Sequence, residues 1–90
     1  MIYRYKDQEI SLENLTRLYG AVLIDMQGEV AEMSLEWYEL YGDKVKLLHY
    51  LLVFDYTPPG ENVRDKKVLE FATQDELINT MQEVAQFFQK

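Results

Sequence analysis

The feature that most constrains this chain is an apolar register through residues 12–41. Leu12, Leu15, Tyr19, Val22, Met26, Val30, Met33, Trp37 and Leu40 recur at gaps of three and four. Side chains at that spacing line one face of an α-helix. The register keeps phase across Gly28, which predicts one long helix over 12–41, ~45 Å from end to end. Ser11 stands where an N-cap belongs, Glu13 places negative charge at the positive end of the dipole, and Gly42 suits the position just past the end.

Two alternatives arise within this stretch. Gly20 and Gly28 each weaken a helix by about 1 kcal/mol relative to alanine, so a kink at Gly28 is the first. The second is a hairpin turning at Gln27-Gly28, with arms 21–26 and 29–41. Ala31, Met33, Leu35 and Trp37 do alternate with Glu32, Ser34 and Glu36, as a strand requires. The helix is preferred because it gathers Glu29, Glu32, Glu36 and Glu39 onto one narrow arc. A strand would put Glu29 and Glu39 on its apolar side. The Glu, Leu, Met and Ala content points the same way.

The rest of the chain reads as sheet and a closing helix. Residues 2–5 alternate aromatic and polar side chains, 6–8 suit a turn, and 9–10 return, forming an N-terminal hairpin. Over 45–56 both alternating sets are apolar, as in a central strand buried on both faces. Pro58 and Pro59 end it, since proline cannot donate to a ladder. Residues 66–71 form a further strand, antiparallel to the first. Thr73 and Glu76 make a capping box that opens a helix over 74–89, with Leu77, Ile78, Met81, Val84, Ala85 and Phe88 on its inner face. The expectation is therefore a single α+β domain spanning 1–90. A small antiparallel sheet (the hairpin plus strands near 45–56 and 66–71) packs on a long helix, kinked at Gly28 in one version, and a C-terminal helix. No internal repeat is visible.

Charge and chemistry narrow the function classes. Sixteen acidic against nine basic residues give a net charge of −7. Such a field repels phosphate backbones, which argues against nucleic acid and favours a basic protein partner. The absence of cysteine removes disulfides, thiolate nucleophiles and cysteine-held metals. No apolar run is long enough to cross a bilayer and the N-terminus lacks a signal core, so a soluble cytoplasmic protein with no membrane contact is expected.

No catalytic constellation stands out. His49 is the single histidine and sits in the most apolar stretch, where a buried structural imidazole is expected. Glu32, Glu36 and Glu39 on one helix face could clamp a hard cation, but the Glu-x-x-His pair of helical carboxylate centres is absent. Scattered glycines form no phosphate loop, and Lys66-Lys67 with Arg64 reads as a solvated basic patch. No metal, cofactor or catalytic residue is assigned. Met33-Ser34-Leu35-Glu36 resembles the attachment-serine motif of acyl carrier proteins. Thr80-Met81-Gln82-Glu83-Val84 likewise resembles the last helix of that family, but the match goes no further. Met33 replaces the aspartate of that family, Ser34 falls inside the expected helix, and the strands at 45–71 do not suit an all-helical fold.

Two surfaces remain. Glu29, Glu32, Glu36, Glu39 and Asp43, beside Trp37, Tyr38 and Tyr41, make an acidic and aromatic face suited to a basic protein surface. Gly20, Ile24, Gly28, Ala31 and Leu35 make a small-residue stripe that would admit a close helix: the chain's own last helix or the same helix of a second copy, giving a homodimer. The function expected is a non-catalytic interaction module: an adaptor, an inhibitor or an immunity- or antitoxin-type regulator. The alternative is a small-molecule-binding or enzymatic homodimer, with an apolar cleft between sheet and long helix anchored by tyrosines and His49.

Overall fold

The computed structural model describes residues 1–58, 60 and 65–88. Strands β1 (Ile2–Tyr5) and β2 (Gln8–Ser11) are followed by β3 (Arg17–Met26), β4 (Glu29–Ser34) and helix α1 (Leu35–Tyr41). A 3-10 turn (Gly42–Lys44) leads into β5 (Lys46–Asp55), β6 (Lys66–Phe71) and helix α2 (Gln74–Gln86). Pro59, Arg64 and the last position of the expected 74–89 helix lie outside the described residues.

The fold is α+β, with a small antiparallel sheet and two helices, but the long helix over 12–41 does not form. β3 and β4 occupy most of that stretch as a hairpin, with Met26 opposite Glu29 and Ala21 opposite Ser34. The two turn residues, Gln27 (φ 53°) and Gly28 (φ 90°), both lie in the left-handed region. Two-residue hairpins favour that conformation because its twist matches the flanking strands, and glycine reaches it without strain. The Asp25 carboxylate accepts the Gly28 amide at 2.9 Å and fixes the turn. Gly28 is thus a turn residue, neither a helical defect nor a kink.

The apolar register misled because β3 is a central strand. It pairs with β4 on one side and β5 on the other, and its apolar residues fall on both faces. A three-four spacing can be picked out of such a segment without any helix being present. The hairpin alternative placed the turn correctly but ran its second arm to residue 41. Alternation ends at Ser34, whose Oγ accepts the Trp37 amide at 3.0 Å and caps α1. Ser34 therefore precedes a helix instead of lying within one. The strands still separate the chain from the all-helical acyl carrier proteins.

The main sheet runs β4-β3-β5-β6, antiparallel throughout, while β1 and β2 form a two-stranded sheet of their own. Tyr3, Ile10 and Leu12 from the hairpin region meet Leu77 and Val84 of α2 over Leu52, Phe54, Leu69 and Phe71 of the sheet, forming the main core. The opposite sheet face carries a smaller cluster of Ala21, Leu51 and Val53 under Tyr19 and Leu23.

One architectural feature was hidden in the sequence. β3-β4-α1 and β5-β6-α2 each consist of a ten-residue strand, a six-residue strand and a helix capped by a hydroxyl side chain. The ten-residue strands pair antiparallel at the sheet centre, so the two ββα units are related by an approximate two-fold axis. Both helices lie on the same sheet face and meet at Gly20. A Cβ built there would stand 2.8 Å from Leu35 Cδ1 and 3.4 Å from atoms of Leu77 and Met81.

Candidate functional site

The expected small-residue stripe is dispersed across this fold. Gly20 does allow a close approach, to α1 through Leu35 and to the chain's own last helix, α2. Ile24 and Ala31 are cross-strand partners inside the β3-β4 hairpin, and Gly28 is an exposed turn residue. The interface imagined between two long helices has no long helix to form on.

The acidic and aromatic face is partly assembled. Glu36, Trp37, Tyr38, Glu39, Tyr41 and Asp43 all fall on α1 and the 3-10 turn. Glu29 sits at the other end of β4, beside the hairpin turn. Glu32 lies opposite Leu23, on the sheet face that α1 and α2 leave open. There its carboxylate stands 3.9 Å from Lys66 Nζ and accepts the Tyr19 hydroxyl at 3.5 Å. The arc containing Glu32, Glu36 and Glu39 is therefore absent, and with it the hard-cation clamp. No group of three or more candidate metal-ligating side chains occurs among the described residues.

What α1 exposes follows from what it buries. Leu35 packs on the main core, and Tyr38 turns inward onto Tyr50, ring centroids 6.2 Å apart and nearly perpendicular. Gly42 makes room for Tyr38: a Cβ at that position would stand 2.8 Å from its ring. Partial burial and the neighbouring Tyr38 push the Tyr50 hydroxyl pKa above its ordinary value. With Leu35 and Tyr38 facing inward, the helical period turns Leu40 outward. Leu40 is 73% exposed and Tyr41 45%, and the Trp37 ring lies tilted against Tyr41, centroids 5.4 Å apart. Glu36, Glu39 and Asp43 are exposed on the same segment. The sequence pattern had assigned Leu40 to a buried face; the Ser34 cap was the signal that would have re-set its phase.

Among the described residues, clefts open on the surface at two places relevant to these side chains. One, of about 380 Å³, lies among α1, the 3-10 turn, β5 and the start of α2, lined by Tyr38, Glu39, Gly42, Asp43 and Tyr50. The other, of about 700 Å³, lies where the β2-β3 connection meets the ends of β5 and β6, with Ser11, Glu13, Thr16, Tyr56 and Lys67 among its walls. It was not anticipated. Tyr56 spans from β5 to donate to the Ser11 carbonyl, and the Asp55 carboxyl nearby is held below its usual range chiefly by the Thr57 amide.

His49 lines neither cleft. It is exposed, not buried, with Nε2 3.9 Å from the Glu70 carboxylate. Strand alternation explains this. His49 opposes Leu23 and shares its side of β5 with Leu51 and Val53, the sheet face away from α2, and a register irregularity follows at Leu48.

Among the described residues no helix is long and apolar enough to cross a membrane. Comparison of the chain with protein-family models, curated proteins and solved structures found no match.

Proposed function

We propose that this chain is a non-catalytic protein-interaction module, an adaptor, inhibitor or immunity- or antitoxin-type regulator of the cytoplasm, whose recognition element is α1 with its 3-10 turn. The observation that carries the reading is the exposure of Leu40 and Tyr41 next to Trp37, within a rim of Glu36, Glu39 and Asp43. Single exposed apolar side chains are ordinary, but a contiguous aromatic and aliphatic patch with a polar rim is the anatomy of a binding surface. Lys44 is the one cation of the segment, and the chain's charge of −7 would steer a basic protein toward it.

The test is affinity capture from the native lysate at low and high salt, followed by binding measurements with the purified partner. A stoichiometric basic protein, released at high salt and bound about 30-fold more weakly by Leu40→Ser plus Tyr41→Ser, is the expected result, since hot-spot truncations cost about 2 kcal/mol or more. Glu36→Lys plus Glu39→Lys would reduce the association rate and its salt dependence. A partner held equally well by all of these variants would overturn the reading.

A further inference from the structure

We infer that the cleft beside α1 receives an arginine side chain of the basic partner, the guanidinium lying between the Glu39 and Asp43 carboxylates and the Tyr38-Tyr50 pair. This rests on the interaction reading above and names the contact that would give it specificity. The cleft, of about 380 Å³, has room for a complete arginine side chain, and its two charged wall residues are both acidic. Among the described residues no cation stands within 4 Å of Glu39 or Asp43. An anion would be repelled here, and a neutral donor could hydrogen-bond the carboxylates without compensating their charge.

The aromatic walls select among cations. Guanidinium is planar and weakly hydrated, stacks on tyrosine faces and offers a fork of donors to carboxylates, so it suits this wall better than a lysine ammonium. The molecule uses the same chemistry elsewhere, with the Arg17 guanidinium 4.6 Å from the centre of the Tyr19 ring. Leu35 supplies an apolar surface for the methylene stem, and the Gln74 amide supplies a polar edge. Gln74 opens α2, whose positive end would oppose a cation. Asp75 and Glu76 in its first turn, with the Thr73 cap on the Glu76 amide, offset that field. The position also fits: Glu39 immediately precedes Leu40, so a partner covering the exposed patch reaches the cleft without a second docking event.

The experiment is an NMR titration of the full chain at low salt with N-acetyl-arginine methylamide and, in parallel, its neutral isostere N-acetyl-citrulline methylamide. The expected result is saturable shifts confined to Tyr38, Gly42, Tyr50 and Gln74, with the arginine probe binding at least 10-fold more tightly. Glu39→Gln plus Asp43→Asn, near-isosteric changes at exposed positions, would abolish them. Equal responses to the two probes, or arginine shifts spread over the acidic surface and unchanged in the double variant, would overturn the inference. The same variant separates this inference from the interaction reading. If it binds the captured partner as wild type does while Leu40→Ser plus Tyr41→Ser does not, the arginine contact is refuted and the interaction surface stands. Failure of the interaction reading would instead leave partner binding insensitive to Leu40 and Tyr41, with the arginine titration still decisive for the cleft.

Discussion

Helix α2 sinks Leu77, Thr80 and Val84 into the core, whereas α1, at the equivalent place in the other ββα unit, buries no residue completely. α2 runs for thirteen residues and α1 for seven. An isolated helix of either length is marginal in water, so each persists through what it packs against and how it is capped. For α2 that is the sheet and the hairpin, with the Tyr3 hydroxyl donating to Glu83 at 2.8 Å and the Tyr3 ring edge-on to Phe87. For α1 it is Leu35, Tyr38 and the Ser34 cap. The difference teaches which half carries which burden. The composition of α2 answers to the core. The outward residues of α1, an exposed leucine beside the tilted Trp37-Tyr41 pair, stabilise little within the chain, and on the proposed reading they are what a partner would contact.

The sharpest way to break this contrast is to truncate equivalent anchors. Leu77→Ala should cost about 3–4 kcal/mol, because a fully buried leucine loses its transfer energy and leaves a cavity. Leu35→Ala should cost about 1–2 kcal/mol, since Leu35 is only partly buried. Urea denaturation of both variants decides the matter; equal losses would mean that α1 is as integral to the core as α2. The connections of the two units differ as well. Gly28→Ala should cost about 1–2 kcal/mol because φ is +90° there, even though a Cβ would meet nothing within 4 Å. Gly28→Asn should cost less, because asparagine tolerates the left-handed region. A loss for alanine no greater than for asparagine would show that the turn adapts.

The same contrast explains what could be read in the sequence. The second unit was largely legible: its two strands and the start of α2 fall where expected, although α2 ends at Gln86 and Ile78 and Phe88, expected on its inner face, are exposed. Apolar side chains in both alternating sets from Leu47 to Phe54 exclude an amphipathic helix, and Thr73 with Glu76 fixes the start of α2. The first unit was not, because two periods overlap in it. Val22, Ile24 and their neighbours belong to a strand with apolar residues on both faces, while Leu35 and Tyr38 follow helical spacing after Ser34. Testing one period over the whole stretch averaged the two. Glu39 counted against a strand although it lies on α1, and Glu29 although it sits beside the turn. The residues of the candidate surface stay on one element where they are local in sequence, Glu36 to Asp43, although Tyr38 turns inward onto Tyr50. The surface failed at Glu32, whose facing is set by pairing with β3 and not by its neighbours. The two-fold arrangement of ββα units was invisible because their equivalence lies in strand order and caps more than in side-chain identity.

The caps sharpen the comparison further. Ser34→Ala and Thr73→Ala each remove one hydroxyl acceptor and should each cost the capping interaction about 1 kcal/mol. Their readouts should differ. α2 is locked into the core, so the Thr73 variant should lower the global urea midpoint. α1 has little else holding its first turn, so Ser34→Ala should open that helix locally, with faster amide exchange at Trp37 and Tyr38 and weaker partner binding but a small change in midpoint. Identical global losses with no local effect at α1 would remove the distinction.

The smallest effect concerns the contact that ties the hairpin to α2. Burial, reinforced by the hydrogen bond to Glu83, pushes the Tyr3 hydroxyl pKa up to about 12. A tyrosine in the unfolded chain ionises near its ordinary value of about 10. Between those values the unfolded state loses the proton and the folded state keeps it, so unfolding becomes progressively more favourable. The contribution is complete below about pH 10 and is lost as pH rises toward 12. Tyr3→Phe should therefore do two things: cost about 1 kcal/mol at neutral pH, where the Glu83 bond is deleted, and make the fall in stability above pH 10 shallower. Tyr50 and Tyr56, also raised by burial, keep some of that slope. Urea midpoints from pH 7 to 11.5 test both arms. Parallel curves for the variant and the wild type would mean that Tyr3 ionises freely, and that the hairpin is held to α2 by its apolar contacts alone.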